Sequence, residues 1–505
     1  MLFLFLGTCF VTTAQININI EKSEIFKDDK KHTELEFVEG DGKGGLVTVR
    51  LAVGGLMKKP KEYYISYFDE NLKLISEKTF EVEKNEFKGL MVKDGQVHIL
   101  DFGYNRKTKA YDFDILSTPL SSFEFTRQTL FSIDKDRLKK EFSVYIGFVP
   151  VVGALDQFDN DSFGEVVFSK DKNFFAVNFD IKDKKQETHQ VLVFNDKFEQ
   201  IFEKEITRDT KDSRFIYQNT EVDDGDGTVY FLGKEREGRL SKKDGKANYH
   251  YELISVSPNG QIQETSFKND IFVASLTVAK YLDQLVAVGF YSEKNDYRYK
   301  GVVRFDLNPE NLSMTKKSFL PFDERFLFDK YGSDKDKELR NLSYRDIFIS
   351  ESGDVILNAE EYFITQNYNM NGAVSFTYHF NDIISCKISS EGELVWARNV
   401  NKVQSSGRPT SNFNSYASMI ENETLYIFLN SRRVREKNDG RIKFKGNGDL
   451  FALTIASNGD LDYKTTIEDP EVSYFVEYGK ILGQNKMILV GRDGRKKRII
   501  RLSVD

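Results

Sequence analysis

Leu253-Ile254-Ser255-Val256-Ser257-Pro258-Asn259-Gly260-Gln261-Ile262 reads as an alternating apolar strand, a polar turn and the opening of a second strand. Its Asn-Gly pair accepts the positive φ that a tight hairpin requires. The pattern recurs at Ile384-Ser385-Cys386-Lys387-Ile388-Ser389-Ser390-Glu391-Gly392-Glu393-Leu394 and at Ala452-Leu453-Thr454-Ile455-Ala456-Ser457-Asn458-Gly459-Asp460-Leu461. Looser copies run from Ile65 to Leu72, Phe113 to Phe123, Val191 to Phe198 and Val303 to Leu312. Another strand precedes each copy, such as Gly227-Thr228-Val229-Tyr230-Phe231-Leu232 or Gly353-Asp354-Val355-Ile356-Leu357. Upstream of that lies a looser apolar strand, as at Phe272–Leu276 or Asp346–Ser350. The repeating unit is therefore four short antiparallel strands. Long helical periodicity and strand-helix alternation are both lacking.

Four strands per repeat predict an all-β chain folded as a β-propeller of four-stranded antiparallel blades. The third strand recurs near residues 65, 113, 191, 253, 302, 384, 451 and 498, which favours eight blades; seven is the count if one weak unit is an insertion. Units of about 60 residues exceed the common 40–45, so generous connections are expected. The longest gaps hold Phe142–Ser169 and Phe319–Arg345. The final strand, Arg498-Ile499-Ile500-Arg501-Leu502-Ser503, has no downstream partner, and Ile16-Asn17-Ile18-Asn19-Ile20 has no upstream one. Pairing the two closes the ring and hides two sheet edges.

The 505 residues include 13% aromatic and 30% charged side chains, with 34 Gly and 8 Pro. Such a chain can bury a large core and is too apolar for disorder. Its 72 basic and 79 acidic residues give a net charge of −7, which argues against a nucleic-acid partner. Leu2 to Val11 is a short apolar run, followed by Thr12-Thr13-Ala14. That predicts a signal peptide over 1–14, cleavage after Ala14 and a single propeller domain over 15–505. The expected address is the periplasm or the outer membrane. The run is shorter than the ~20 residues that span a bilayer, and no later segment approaches that length, so no transmembrane segment is expected. Leu6-Gly7-Thr8-Cys9 is a poor lipobox, which makes a lipoprotein the lesser reading. With Cys9 removed, Cys386 stands alone and reads as a buried strand residue.

Catalytic signals are sparse. The five histidines, His32, His98, His189, His250 and His379, form no HExxH motif and no close pair, which disfavours a His-based metal or nucleophile site. No GxSxG elbow or P-loop is found; Gly40-Asp41-Gly42-Lys43-Gly44-Gly45 leads into a strand, whereas a P-loop opens a helix. No cofactor is expected beyond weak calcium candidates at Asp156, Asp159, Asp161 and Glu165. These and the run Asp223-Asp224-Gly225-Asp226-Gly227 read first as solvated turns. A Tyr- and Asn-rich segment from Glu361 to Asp382 stands out between two strands of the sixth unit. Tyr and Asn suit recognition surfaces, so Tyr362, Tyr368, Tyr378, His379 and Asp382 are the binding candidates. The competing reading is an extended hairpin with packed aromatics. Trp396 reads as packing between blades. Arg432-Arg433-Val434-Arg435 and the run from Arg492 to Arg498 read as solvated hairpin turns that could also meet a phosphate, an acidic glycan or an anionic membrane.

Tyr378-His379-Phe380-Asn381-Asp382-Ile383-Ile384, followed by Ser390-Glu391-Gly392-Glu393-Leu394-Val395-Trp396-Ala397, resembles the exported β-propeller proteins of Bacteroidota, a largely uncharacterised group with WD40-like and quinoprotein-like repeats. The specific part covers one blade. It implies no shared site, and the single Gly-x-hydrophobic-x-Trp turn implies no quinone. The sequence reading is thus an exported, non-catalytic propeller. It would bind a protein or glycan partner in the cell envelope, as a monomer or as a subunit of a larger complex. The alternative is a hydrolase or lyase with carboxylates at the central channel.

Overall fold

A computed structural model describes residues 17–54, 59–83, 85–139, 163–182, 186–211, 214–238, 240–268, 271–295, 298–333, 338–368, 374–407, 413–468, 471–483 and 485–504. The leader, and with it the cleavage reading at Ala14, lies outside these residues.

Alternation of apolar and polar residues drives the chain into strands that pair with their sequence neighbours. Seven successive four-stranded antiparallel units span 32–81, 85–134, 163–208, 215–267, 272–321, 342–406 and 417–467. An eighth forms around Lys486–Asp493 and Lys496–Val504. All eight third strands fall where the repeat placed them: Lys59–Phe68, Ala110–Pro119, Glu187–Asn195, Tyr249–Val256, Gly301–Leu307, Val374–Ile388, Ile442–Ile455 and Lys496–Val504. The eighth unit takes its outer strand from the other end of the chain. Ile18–Lys22 runs antiparallel to Lys496–Val504, pairing Ile18 with Val504 and Lys22 with Ile500. The ring is closed by its terminal strands, as expected.

Each unit packs face to face on the next. Leu100, Phe102 and Phe113 of the second meet Phe175, Val177 and Phe194 of the third. Around the ring, Ile356, Ile383 and Trp396 of the sixth meet Leu425, Ile427 and Leu453 of the seventh. The circuit closes where Leu35, Val38 and Phe68 of the first meet Ile488, Val490 and Ile499 of the eighth. This face-to-face circuit, together with first strands that adjoin one another about an axis, is a β-propeller. Trp396 is buried between the sixth and seventh units, as read from the sequence. Gly459 makes room for it, since a Cβ there would lie 2.7 Å from the Trp396 Cβ. Cys386 is fully buried in a strand, and burial raises its thiol pKa.

The gap at Phe319–Arg345 holds α1 (Glu324–Tyr331), capped by the Asp323 carboxylate on the Phe326 N–H at 2.8 Å and ended by Gly332 at φ 70°. Among the described residues no helix is long and apolar enough to cross a membrane.

Candidate functional site

The first strands carry a feature that the sequence hides. Six of them bulge at a corresponding position: between Leu35 and Phe37, Phe87 and Gly89, Phe163 and Glu165, Tyr217 and Asn219, Val273 and Ser275, and Tyr344 and Asp346. A bulge adds one residue and re-aims its side chain. The added residues are Glu36, Lys88, Gly164, Gln218, Ala274 and Arg345. In the eighth unit a 3₁₀ turn, Val476–Tyr478, presents Glu477.

These inner positions gather charge. Burial, with the Glu34 and Glu86 charges, lifts the Glu36 carboxyl from its ordinary 4.5 to about 7 against the pull of Lys480. Burial also lifts Glu477 to about 7, with Glu360 and Glu34 adding to it and Arg345 and Lys402 opposing. Burial raises Glu165 as well, and Tyr217 donates to it at 2.6 Å. Two carboxyls thus exchange protons near neutrality beside Arg345 and Lys480, which is the equipment of a general acid or base.

Arg345 is anchored from behind. Glu360 accepts from Arg345 Nη2 at 2.6 Å, Lys402 Nζ at 2.6 Å and Ser415 Oγ at 2.7 Å. Burial would raise the Glu360 carboxyl, but the two cations outweigh it and hold the group below the ordinary carboxylate range. Lys402 also donates to Phe380 O at 2.9 Å and Gln404 Oε1 at 3.0 Å.

The sixth and seventh units outgrow the ring. Their long strands are Val355–Tyr368, Val374–Ile388, Leu394–Ser406, Thr424–Glu436 and Ile442–Ile455, of 13 to 15 residues each. Asn401, Lys402 and Val403 pair in parallel with Lys443, Phe444 and Lys445, joining both units into one eight-stranded sheet. α1 braces this extension: Asp329 bonds Arg398 Nε at 2.5 Å, and its carbonyl accepts from Asn401 Nδ2 at 2.8 Å.

The segment read as a long connection is a paired ladder from Tyr362–Phe380 to Tyr368–Val374, with only 369–373 outside the described residues. Of the five binding candidates, Tyr362 and Tyr378 share one face, packed with Ile364 and Phe380. Burial beside Tyr378 raises the Tyr362 hydroxyl to about 12. His379 lies on the opposite face, stacked on Phe363 at 4.4 Å and 12° and 2.9 Å from Thr365 Oγ1. Tyr368 ends the ladder. Asp382 stands apart at its base, where it bonds Lys330 Nζ at 2.8 Å and accepts from the Lys402 backbone N–H at 3.1 Å. Arg433 and Arg435 are strand residues, not turn residues as expected; the turn lies at 437–441.

Asp156, Asp159 and Asp161 lie outside the described residues, while Glu165 is on an inner strand. The Asp223–Gly227 run is a turn, with Asp223 accepting from Gly225 N and Asp226 from Thr228 N. With Asp171, Asp283 and Glu310 it lines a cleft of about 670 Å³.

Two clusters have metal-ligand types within reach of one another: Asp180, Glu187 and His189, and Glu235, His250 and Glu252. Sequence spacing missed them because strand register, not chain proximity, sets Glu235 opposite His250. Each already holds a cation against one of its carboxylates. Lys139 lies 3.0 Å from Asp180, and Arg208 binds Glu252 and Glu264 at 2.7 Å each. They read as ion-pair clusters.

No family model matches the sequence, and no curated protein matches it. Among solved structures, the chain is similar to the β-propeller domain of the Trilobed protease from Pyrococcus furiosus: 9% identity over 88% of this chain and 98% of that one, TM-score 0.36. It is also similar to a prolyl endopeptidase (10%, 84% of this chain, TM-score 0.37) and an acylaminoacyl peptidase (11%, 82%, TM-score 0.34). The chain spans about half the length of these two, 46% and 52%.

Proposed function

We propose that the protein is an exported, non-catalytic propeller of eight blades that binds a glycan or protein partner in the cell envelope, a relative of the exported Bacteroidota propellers. The observation that carries this reading is the sheet built out of the sixth and seventh units. Its strands continue past the length that fills the blades, and beyond the part that α1 braces, its outer face leaves Arg433, Arg435, Lys445 and Ser405 exposed. A rigid scaffold that projects such a surface suits binding. Replacing Gln366–Ser375 by a short Gly-containing turn tests it. The fold should survive, because Ile364, Tyr378 and Phe380 lie outside the replaced stretch. Binding on a glycan array and capture of envelope proteins should both fall. Unchanged binding in both assays would defeat the reading.

A second reading has its own observation. Glu36 and Glu477, each lifted to about 7 beside Lys480 and Arg345, suit acid-base chemistry of a hydrolase or lyase at the axis. Loss of a hydrolytic or eliminative activity in Glu36→Gln and Glu477→Gln would favour it.

A further inference from the structure

The hairpin Thr424–Glu436 with Ile442–Ile455 ends in an arrangement that sheets avoid. Arg433 lies directly opposite Lys445, and Arg435 directly opposite Lys443. Like charges in directly opposed positions repel and cost stability. Between them Val434 pairs with Phe444, and these two turn inward against the seventh unit's core. The four cations therefore share the outward face. Arg433, Arg435 and Lys445 are exposed. None of the four has a carboxylate within salt-bridge distance among the described residues, although acids outnumber bases in the chain. The two acids whose charges reach Lys437 in the adjoining turn are engaged: Asp439 with Arg441 at 2.7 Å and Asp382 with Lys330 at 2.8 Å. The crowding extends to the turn, where burial and then the Arg441 and Lys443 charges hold the Lys437 ammonium below its ordinary range.

The face continues across the parallel junction. Val403 aligns with Lys445, Ser405 pairs with His379, and His379 stacks on Phe363. Thr365 and Thr377 follow as a directly opposed pair on the same face. One surface thus carries a block of cations, a ring pair and a run of hydroxyls.

We infer that this face binds a linear acidic polysaccharide. This deepens the binding reading proposed above and rests on it. Cations two residues apart along a strand recur about every 7 Å, and across the strand pair at about 5 Å. Repeated spacing of that kind fits a polymer with regularly placed anions better than a single phosphate. The hydroxyls and the Phe363–His379 stack supply hydrogen-bonding and flat apolar surface of the sort that sugar rings meet. A nucleic acid fits less well. Its duplex carries one charge per ~1.7 Å, and a protein of net charge −7 would repel so dense a polyanion beyond the small cationic face.

The test uses the full chain with three probes: polygalacturonate, a single-stranded oligothymidylate and vesicles containing an anionic phospholipid. Polygalacturonate should be retained and released by salt. The Arg433→Ser, Lys445→Ser double variant should weaken its binding at least tenfold while melting at the parent temperature or above, since it relieves repulsion. Arg106→Ser with Lys107→Ser, an equal charge change at an exposed turn, should leave binding unchanged. Phe363→Ser should weaken polysaccharide binding with the salt dependence kept. Tighter binding of oligothymidylate or vesicles, an equal loss in the Arg106/Lys107 control, or no retention of polygalacturonate would each overturn the inference. If polygalacturonate is not retained yet the Gln366–Ser375 replacement still abolishes partner capture, only the ligand class falls. If capture also persists, the binding reading falls with it.

Discussion

Lys402 Nζ and Glu360 Oε1 sit 2.6 Å apart, and neither side chain has any exposed surface. The pair ties the fourth strand of the sixth unit to its second, and through Arg345 to the inner strand. Removing Lys402 leaves the buried Glu360 with only Arg345 to balance it among the described residues, a loss of up to about 3–5 kcal/mol. Lys402→Met should therefore lower the urea midpoint strongly. The double variant Lys402→Met, Glu360→Gln should recover part of that loss, because Arg345 then keeps a neutral acceptor. Additive losses in the double variant would show that the pair is not coupled.

The inner carboxyls give a pH dependence of definite sign. A carboxyl whose folded pKa lies above its unfolded one binds protons more tightly when folded, so ionising it opposes folding. The stability that Glu36 and Glu477 lend is present below about 4.5 and lost as pH rises through about 7. Thermal melts should thus fall between pH 5 and pH 8, by at most ~3 kcal/mol per group. Glu36→Gln and Glu477→Gln should each flatten that decline. A melt that rises over this range, with flattening in neither variant, would contradict the assignment.

Gly289 faces the bulge in Phe272–Tyr281. A Cβ there would lie 1.9 Å from the Ser275 carbonyl oxygen and 2.7 Å from the Tyr344 hydroxyl. The backbone oxygen has no flexible side chain to give way. Gly289→Ala should cost about 3 kcal/mol or more, the upper end for overpacking. Soluble yield and the urea midpoint check it.

Deleting residues 17–22 removes the strand on Lys496–Val504 and uncovers Ile500, Leu502 and Val504. Ile18 and Ile20 pack partly against these residues, so the expected loss is a few kcal/mol, given roughly 1.5–3 kcal/mol for each fully buried Ile. An unchanged melting temperature would mean that the strand contributes nothing.

Period-two alternation made the strands legible. Leu253–Val256 and Ala452–Ile455 could be placed because each apolar residue meets a neighbouring unit and each turn shows Gly. The same rule concealed the inner site. A bulge breaks the alternation, so no period in the sequence marks Glu36 and Arg345 as neighbours at one inner site. Lys402 and Glu360 were invisible for another reason, since charged residues are read as exposed unless their partner, here 42 positions away, is known. Arg433 and Arg435 read as a turn because their arginine-rich run lies between two apolar strands; the paired strand Ile442–Ile455 is what holds them extended.

The junction between Ile18–Lys22 and Lys496–Val504 joins nearly the first described residue to nearly the last. No product that stops short of the final strand can finish its sheet, however well its earlier units have formed. A prematurely ended chain would carry an open seam of unpaired backbone, which invites aggregation and proteolysis. The topology thereby makes the final strand a condition of protection: copies that carry it hide this edge, and copies that lack it leave the seam open.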